Sequence, residues 1–180
     1  MKFISPYMHE IGNQSPLIQA RVVQAITDFI GEREIGKVLD IGVRSPLTQI
    51  LEERFSAQIE NTDIDLDTGH LSGRYDTLFC FEVLEHLFNP LHFLLEAYNI
   101  LDYNGRLFLS TPKGKPHFLW FKHHFHEFHR RELLHLIERS GFKVVKMKYY
   151  RIYPLWKRLT GFRPFLRLFL ERKCVMELKK

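Results

Sequence analysis

Paired cysteines and long apolar runs are both missing from this sequence. Its two cysteines, Cys80 and Cys174, form no CxxC pair, so we predict small core residues rather than a disulfide or a zinc site. The longest apolar runs are far shorter than the ~20 residues that span a bilayer. The N-terminal stretch MKFISPYMHE lacks the apolar core of a signal peptide. These absences predict a cytoplasmic protein.

Basic charge is scarce in most of the chain and concentrated at its C-terminal end. Residues 143–180 carry twelve Lys and Arg against two Glu, a net charge of +10, while the whole chain carries +5, which leaves −5 for residues 1–142. Over 151–171 the basic residues alternate with aromatic ones. This composition suits a peripheral membrane contact, an anionic or lipid-linked substrate, or RNA, with nucleic acid the least favoured partner. The alternative is a packed lid with a solvated basic face.

The chain does contain a regular alternation of helix and strand patterns. Apolar residues recur at helical spacing after Ser15-Pro16, after Pro46, and over 91–101 and 131–140. Short apolar runs predict strands at 37–41, 58–63, 77–81, 106–110, 142–150 and 172–178. Asn104-Gly105 predicts a turn that leads into the strand at 106–110. This order predicts βαβ units, and therefore a mostly parallel sheet covered by helices on both faces. We expect one domain over 1–180, with 151–171 as a basic aromatic insertion; nothing in the sequence specifies an oligomeric state.

Glycine is missing where a dinucleotide site would need it. The stretch VLDIGVRSP places Asp40 and Gly42 at the end of the first predicted strand, but the loop has only one glycine of the G-x-G-x-x-G pattern. A pyrophosphate needs the other glycines for close approach of the backbone. A ligand with an ammonium group and no phosphate, such as S-adenosylmethionine, does not need these glycines. Asp40 could accept a hydrogen bond from its ammonium group. An ordinary strand-to-helix turn without a ligand is the alternative.

The rest of this loop can start a helix without glycine. Ser45 is suited to cap the helix and Pro46 to occupy its first position, where an N–H has no intrahelical partner. Arg44 could point to solvent or reach a methionine carboxylate. Twenty-one residues after Gly42, Asp63 closes the second predicted strand, at the spacing where an acid binds a ribose diol; Asp65 is its competitor.

Two further stretches complete a family pattern. They are YDTLFCFEVLEHLFNP from Tyr75 and LDYNGRLFLSTPKG from Leu101. Together with VLDIG and the Asp63 region they resemble the class I S-adenosylmethionine-dependent methyltransferases, especially types 11 and 23, over about 37–141. The resemblance implies an α/β, Rossmann-like three-layer sandwich with a mostly parallel sheet of six or seven strands and an antiparallel last strand.

The resemblance also implies roles for individual residues. Cofactor contacts are expected from Asp40, Gly42, Val43, Arg44, Ser45, Asp63, Ile64, Phe81 and Glu82, the last two beside the methionyl group and the substrate mouth. The stretch after Asp63 is too short for the usual adenine-contacting segment, for which Leu66 or Asp67 would stand in. Methyl transfer needs a general base only when the nucleophile is protonated. Glu85 and His86 are the candidate catalytic residues; the alternative is that both simply open a helix.

Five histidines, at 117, 123, 124, 126 and 129, crowd one segment. The stretch HEFH is not HExxH, and no acidic or Cys partner is spaced to complete a tetrahedron, so we predict no metal. In the resembling family this segment lies near the substrate pocket, so His124 or His126 is expected to bind substrate. The sequence thus predicts methyl transfer from S-adenosylmethionine to a small molecule, glycan or lipid precursor. The alternative is a catalytically weak methyltransferase-like module that binds through its basic C-terminal surface.

Overall fold

The computed structural model describes residues 16–151 and 171–180. In chain order the elements are α1 (Pro16–Ile30), β1 (Val38–Asp40), α2 (Pro46–Phe55), β2 (Ile59–Asn61), β3 (Tyr75–Phe81), a 3₁₀ turn (Leu84–His86), α3 (Pro90–Ile100), β4 (Leu101–Pro112), a second 3₁₀ turn (His117–Leu119), α4 (Arg130–Arg139), β5 (Lys143–Tyr150) and β6 (Lys173–Lys179). Every strand predicted from the sequence is present, with boundaries that differ by at most five residues.

The strands form one sheet in the order β2-β1-β3-β4-β6-β5. Neighbours from β2 to β4 pair in parallel, whereas β6 pairs antiparallel with both β4 and β5. The α/β fold class, the six-stranded count and the antiparallel last strand are therefore confirmed. None of the helices in the described residues is long and apolar enough to cross a bilayer.

Helices cover the sheet on both faces. Successive residues of a strand point to opposite faces, so the strands contribute apolar side chains to two separate buried clusters. One buried cluster joins α1 and α2 to the sheet through side chains such as Ile26, Leu51 and Phe79. The other joins α3 and α4 to the opposite face through Leu78, Leu94 and others. Cys80 and Cys174 are free and buried, as predicted for core residues.

Two helices start with the same local device. Ser45 caps α2 and Asn89 caps α3, and each is followed by a proline at the start of the helix. In α2 the Thr48 amide donates to Ser45 Oγ at 3.2 Å, and the Ser45 amide donates to Thr48 Oγ1 at 3.0 Å. The predicted helix start at Ser45-Pro46 is confirmed, while the corresponding cap Ser15 lies outside the described residues.

The turn predicted at Asn104-Gly105 is present, but it lies inside β4 rather than before it. A Cβ added to Gly105 would lie 2.9 Å from the Asp102 carbonyl oxygen, so the chain folds back over these residues. The pairing of β4 with β3 shifts at this point from Tyr75–Leu101 to Thr77–Arg106. Three additional residues on β4 are therefore taken up in an irregularity of the strand.

The connection between β2 and β3, residues 62–74, contains neither helix nor strand, as expected from its length. It packs against the start of α3, because the Asn89 amide donates to Asp67 Oδ1 at 2.7 Å. Leu66, proposed together with Asp67 to replace the adenine-contacting segment, is buried in the core beneath α3. The predicted insertion at 151–171 lies almost wholly outside the described residues, so it and the domain boundaries stay predictions.

Candidate active site

The strand order reverses between β1 and β3. The connection from β1 leads to β2 on one side, and the connection from β3 leads to β4 on the other. In open parallel sheets such a reversal leaves a crevice at the carboxyl ends of the two strands, where ligands bind. The residues that follow β1, β2 and β3 therefore form the candidate site, as the sequence predicted.

Asp40, the last residue of β1, is a buried carboxylate held by hydrogen bonds. Thr48 Oγ1 donates to Asp40 Oδ2 at 2.5 Å, and Asn61 Nδ2 lies 3.5 Å from the same oxygen. Burial raises the pKa of Asp40 from 3.8 to about 7, although these two hydrogen bonds and the charge of Arg44 act in the opposite direction. A cationic ligand group placed next to Asp40 would favour its ionised form.

Gly42 provides free space at the same edge. Its φ is +106°, and a Cβ added there would meet no atom within 4 Å. Its amide donates to Thr62 Oγ1 at 2.7 Å, and the Thr62 amide donates back to the Gly42 carbonyl at 3.2 Å. These bonds fix the loop after β1 to the end of β2. The one glycine of the pattern therefore stands where the backbone takes a conformation that side chains disfavour.

Arg44 is bound within its own helix-loop unit. Its guanidinium forms an ion pair with Glu52 through both nitrogens, with Nη1 3.0 Å from Oε1. Glu52 Oε1 also accepts from the Ile59 amide at 3.1 Å, which ties α2 to the start of β2. The Arg44 side chain is 48% exposed, in line with the alternative that it points to solvent. A contact between Arg44 and a methionine carboxylate stays a prediction. Val43 is half-buried beside it.

The two competing acids after β2 have different surroundings. Asp65 closes a local turn, accepting from the Asp67 amide and from Thr68 Oγ1, both at 2.9 Å, and these hydrogen bonds lower its pKa. Asp63 is exposed and receives no hydrogen bond from residues 16–151 or 171–180. Ile64 between them is 37% exposed. Asp63 is therefore the acid available to a ligand.

At the exit of β3, Phe81 and Glu82 face into the protein. The Phe81 ring is buried and stacks on Phe79 at 5.5 Å. Glu82 has a left-handed backbone, with φ at +57°, which is rare for residues other than glycine. Its carboxylate accepts from Ser110 Oγ at 2.6 Å and pairs with Lys173 Nζ at 2.7 Å. A contact between Glu82 and a cofactor stays a prediction, since these partners already occupy both carboxylate oxygens.

Glu85 and His86 lie in the 3₁₀ turn after β3, and each is 1% exposed. Glu85 Oε2 accepts from Thr111 Oγ1 at 3.1 Å, and His86 Nδ1 lies 2.9 Å from the His123 carbonyl. Glu85 Oε1 and His86 Nε2 are buried without a hydrogen-bond partner among the described residues. Burial and the charge of Glu82 raise the pKa of Glu85, and burial lowers the pKa of His86.

The histidine segment contributes His124 to this turn. The rings of His86 and His124 meet edge to face at 4.8 Å, and His124 Nε2 is also buried without a partner among the described residues. The amides of Phe125 and His126 donate to the Glu85 carbonyl at 2.9 and 3.1 Å, which holds the segment against the turn. The His126 ring instead stacks on Phe128 at 5.2 Å. Of the two histidines expected to bind substrate, only His124 thus joins Glu85 and His86.

This arrangement coincides with a known family pattern. Residues 17–147, well over half of the chain, match the family model described as a methyltransferase domain. The chain belongs to this methyltransferase family. The resemblance noted in the sequence is thereby confirmed, together with the assignment as an S-adenosylmethionine-dependent methyltransferase of class I. None of the curated protein sequences matches the chain.

Solved structures show the same fold for this methyltransferase. A Burkholderia thailandensis 1,6-didemethyltoxoflavin N1-methyltransferase, with 1,6-didemethyltoxoflavin and S-adenosylhomocysteine bound, is 15% identical with a TM-score of 0.63, covering 99% of this chain and 85% of its own. Coclaurine N-methyltransferase, bound to N-methylheliamine and S-adenosylhomocysteine, is 14% identical with a TM-score of 0.67, covering 93% and 75%. An S-adenosylmethionine-dependent methyltransferase from Mesorhizobium loti is 12% identical with a TM-score of 0.60, covering 91% and 98%.

Sequence reasoning missed the residues that support this methyltransferase site. Thr48 and Thr62 hold Asp40 and Gly42, while Thr111 and Lys173 hold the two glutamates after β3. Glu127 Oε1 lies 3.1 Å from His124 Nδ1, and it forms an ion pair with Lys115 Nζ at 3.2 Å. Three of these residues had a local signal: Thr62 is next to Asp63, Thr48 is three residues after the Ser45 cap, and Glu127 is three residues after His124. Thr111, Lys115 and Lys173 come from parts of the chain whose proximity depends on the folded sheet.

Proposed function

We propose that this protein transfers a methyl group from S-adenosylmethionine to a polar atom of a small molecule, which includes glycan and lipid precursors. One observation carries the proposal. The buried carboxylate of Asp40, the open space at Gly42 and the exposed carboxylate of Asp63 follow adjacent strands at the point where the strand order reverses. Asp40 suits an ammonium group, Gly42 allows a ligand to approach the backbone closely, and Asp63 suits a ribose diol.

The residues present fit S-adenosylmethionine better than a dinucleotide. Asp40 would accept from the ammonium of the methionine portion, and Asp63 would accept from the ribose hydroxyls, as in the expected assignment. The cofactor supplies an electrophilic methyl group on a sulfonium centre. The chain has to hold this group and the acceptor in line and exclude water, because positioning accounts for much of the rate of such a transfer.

The acceptor side is assigned to the turn after β3. Glu85, His86 and His124 form a buried polar cluster there, and each has one atom without a hydrogen-bond partner among the described residues. Buried polar atoms normally have partners, so a group that binds to them should be stabilised. We therefore assign the polar atom of the acceptor to this cluster. Two solved structures similar in fold support a small acceptor, since they hold 1,6-didemethyltoxoflavin and N-methylheliamine.

Binding of S-adenosylhomocysteine tests the cofactor assignment. Calorimetry should show binding to the wild type, and Asp63→Ala should weaken it about 10- to 100-fold, because two hydroxyls lose a charged acceptor worth about 1 to 3 kcal/mol. Asp65→Ala is the matched control and should change affinity less than about twofold, since Asp65 serves a local turn. Absence of binding to the wild type at millimolar ligand would refute the proposal. A loss confined to Asp65→Ala would move the ribose role to that residue.

Methyl transfer from labelled S-adenosylmethionine separates an enzyme from a binding module. Nothing in residues 16–151 or 171–180 favours the alternative of a catalytically weak module acting through its basic surface. The acceptor panel should include amines and hydroxyl compounds, both free and lipid-linked, because the basic segment 151–171 is predicted to favour anionic or lipid-linked acceptors. Turnover of any member supports the proposal. Cofactor binding without turnover of any acceptor in the panel would favour the alternative of a catalytically weak binding module.

A further inference from the structure

Three buried side chains at the exit of β3 form a cluster that the protein itself does not satisfy. Glu85, His86 and His124 each offer an atom within 4.8 Å of those of the other two. Their exposed fractions are 1%, 1% and 8%. Glu85 Oε1, His86 Nε2 and His124 Nε2 have no hydrogen-bond partner among the described residues. Leaving one such atom buried and unpaired costs about 1 to 3 kcal/mol, so three together call for a ligand.

The hydrogen-bond partners of the two Nδ1 atoms define which nitrogen is protonated in the His86 and His124 rings. His86 Nδ1 faces the His123 carbonyl, which can only accept, so Nδ1 carries the proton and Nε2 a lone pair. His124 Nδ1 faces Glu127 Oε1, a carboxylate oxygen also held by Lys115, with the same result. A carboxyl group must be ionised to bind a metal ion, and in that form Glu85 Oε1 is an acceptor, while its companion Oε2 already accepts from Thr111. With Glu85 ionised, all three unpaired atoms are acceptors.

Three acceptors in one small buried cluster favour a cation over water. A single water can donate only two hydrogen bonds, so it cannot satisfy all three lone pairs. A positive ion can, and two neutral imidazoles with one carboxylate are the ligand set of many catalytic zinc and iron sites. The remaining atoms of the cluster are also held as in metal sites, where a ligating histidine donates its other N–H to a carboxylate or a backbone carbonyl.

We propose that Glu85, His86 and His124 bind one divalent transition-metal ion. Ligand atoms about 2.0–2.2 Å from such an ion lie roughly 3.4 Å apart in a tetrahedral site. The widest pair here, at up to 4.8 Å, must approach by about 1.4 Å on binding. Glu82 is not a ligand, because Ser110 and Lys173 already occupy its carboxylate.

The ion would leave at least one coordination position for the acceptor. Three protein ligands with an open position are typical of catalytic rather than structural zinc sites. Glu85 and His86 would then act on the acceptor through the ion, which lowers the pKa of a bound hydroxyl. This assignment of a role rests on the proposed methyl transfer, whereas metal binding itself does not. The earlier prediction of no metal considered ligand spacing only within the histidine segment, and the structure supplies the acid from another element.

Metal binding to the full chain tests the proposal without cofactor or acceptor. The protein is stripped with a chelator and titrated with Co²⁺ and Zn²⁺ by calorimetry, and Co²⁺ is also followed by its visible d–d absorption. The expected result is one ion per chain, a spectrum with fewer than six ligands, and an affinity at least about 100-fold lower in Glu85→Gln and in His124→Asn. Glu127→Gln should weaken binding about 10- to 100-fold, as for partners of ligating histidines.

His123→Asn is the matched control, because its exposed side chain neighbours the cluster while its backbone carbonyl is retained. It should bind Co²⁺ as the wild type does. Glu85→Gln keeps an acceptor for Thr111 and removes a buried charge, so it should fold as well as the wild type. Circular dichroism and the affinity for S-adenosylhomocysteine verify this in each variant.

Two outcomes would overturn the proposal: no stoichiometric ion on the wild type, or equal affinity in the wild type, Glu85→Gln and His124→Asn, as expected for ions on surface histidines. Its failure can be told apart from that of the proposed function. A protein that binds S-adenosylhomocysteine in chelator but no metal contradicts only the metal site. A protein that binds the ion in the cluster but no S-adenosylhomocysteine contradicts only the methyltransferase assignment.

Discussion

The exits of β1 and β3 lie next to each other in the sheet but satisfy their polar groups in opposite ways. After β1, Ser45, Thr48 and Asp40 bond to one another within eight residues of chain. After β3, Glu82 and Glu85 take partners from β4 and β6, 26 residues away or more, and the turn still leaves two acceptor atoms unpaired among the described residues. The first exit is held largely by bonds within its own loop and helix. The second depends on distant elements, and in our proposal a ligand completes it.

The two glutamates after β3 sharpen this contrast, and the largest effect is expected here. Lys173→Met leaves the buried Glu82 carboxylate without its cation and should lower the free energy of unfolding by about 3 to 5 kcal/mol. Glu85→Gln removes a carboxylate that has no such cation and should leave stability unchanged or raised. Urea denaturation at pH 7 measures both. A loss below about 1 kcal/mol in Lys173→Met would show that the pair contributes little.

Asp40 should make the first exit sensitive to pH. Because its pKa is raised from 3.8 to about 7, the folded state keeps a proton that the unfolded state loses. The stabilisation from Asp40 is therefore complete below about pH 4 and is lost as pH rises to about 7. Between pH 5 and pH 8 the free energy of unfolding of the wild type should fall by about 2 to 3 kcal/mol relative to that of Asp40→Asn. Thr48, Asn61 and Arg44, the groups that act on Asp40, are the same in both proteins.

The same titration should act on the cofactor with the opposite sign. If the ionised carboxylate accepts from an ammonium group, affinity for S-adenosylhomocysteine rises as pH increases from 6 to 8 in the wild type. Asp40→Asn should bind more weakly and lose this dependence. Parallel pH profiles in calorimetry for the two proteins would contradict the role assigned to Asp40.

Two glycines separate backbone strain from ligand contact. Gly42 and Gly31 both have positive φ, at +106° and +73°, and neither has an atom within 4 Å of an added Cβ. Gly42→Ala and Gly31→Ala should each cost about 1 to 2 kcal/mol of stability. Only Gly42→Ala should also reduce affinity for S-adenosylhomocysteine, by about 10-fold or more, because the methyl group enters the ligand space. Equal affinity in both variants would place the cofactor elsewhere.

The smallest effect concerns the helix caps. Ser45→Ala and Asn89→Ala should each cost about 1 kcal/mol, measured by urea denaturation, since each removes the side-chain acceptor of one helix start. Ser45 also positions Thr48, the donor to Asp40. A small loss of affinity for S-adenosylhomocysteine is therefore expected for Ser45→Ala and not for Asn89→Ala. If both variants bind alike, the link from cap to carboxylate is not functional.

The sequence predicted well wherever the cause of a structure lies within a few residues. The strands, the helix start at Ser45-Pro46 and the placement of Asp40 and Gly42 at a strand end follow from local periodicity and capping. At Asn104-Gly105 it predicted a turn, and the chain does fold back there, but inside β4 rather than before the strand. It left Asp63 and Asp65 open, because only the folded chain shows that Asp65 is engaged in a turn.

By itself, then, the sequence determined the α/β order, the family and the edge of the sheet where the candidate site lies, because these depend on short-range patterns along the chain. Only the tertiary structure decided which buried charges are compensated and which are not. Lys173 reaches Glu82, and His124 rather than His126 meets Glu85 and His86. The physical reason is that the cost of a buried charge is set by the groups around it in space, and these come from parts of the chain far apart in the sequence.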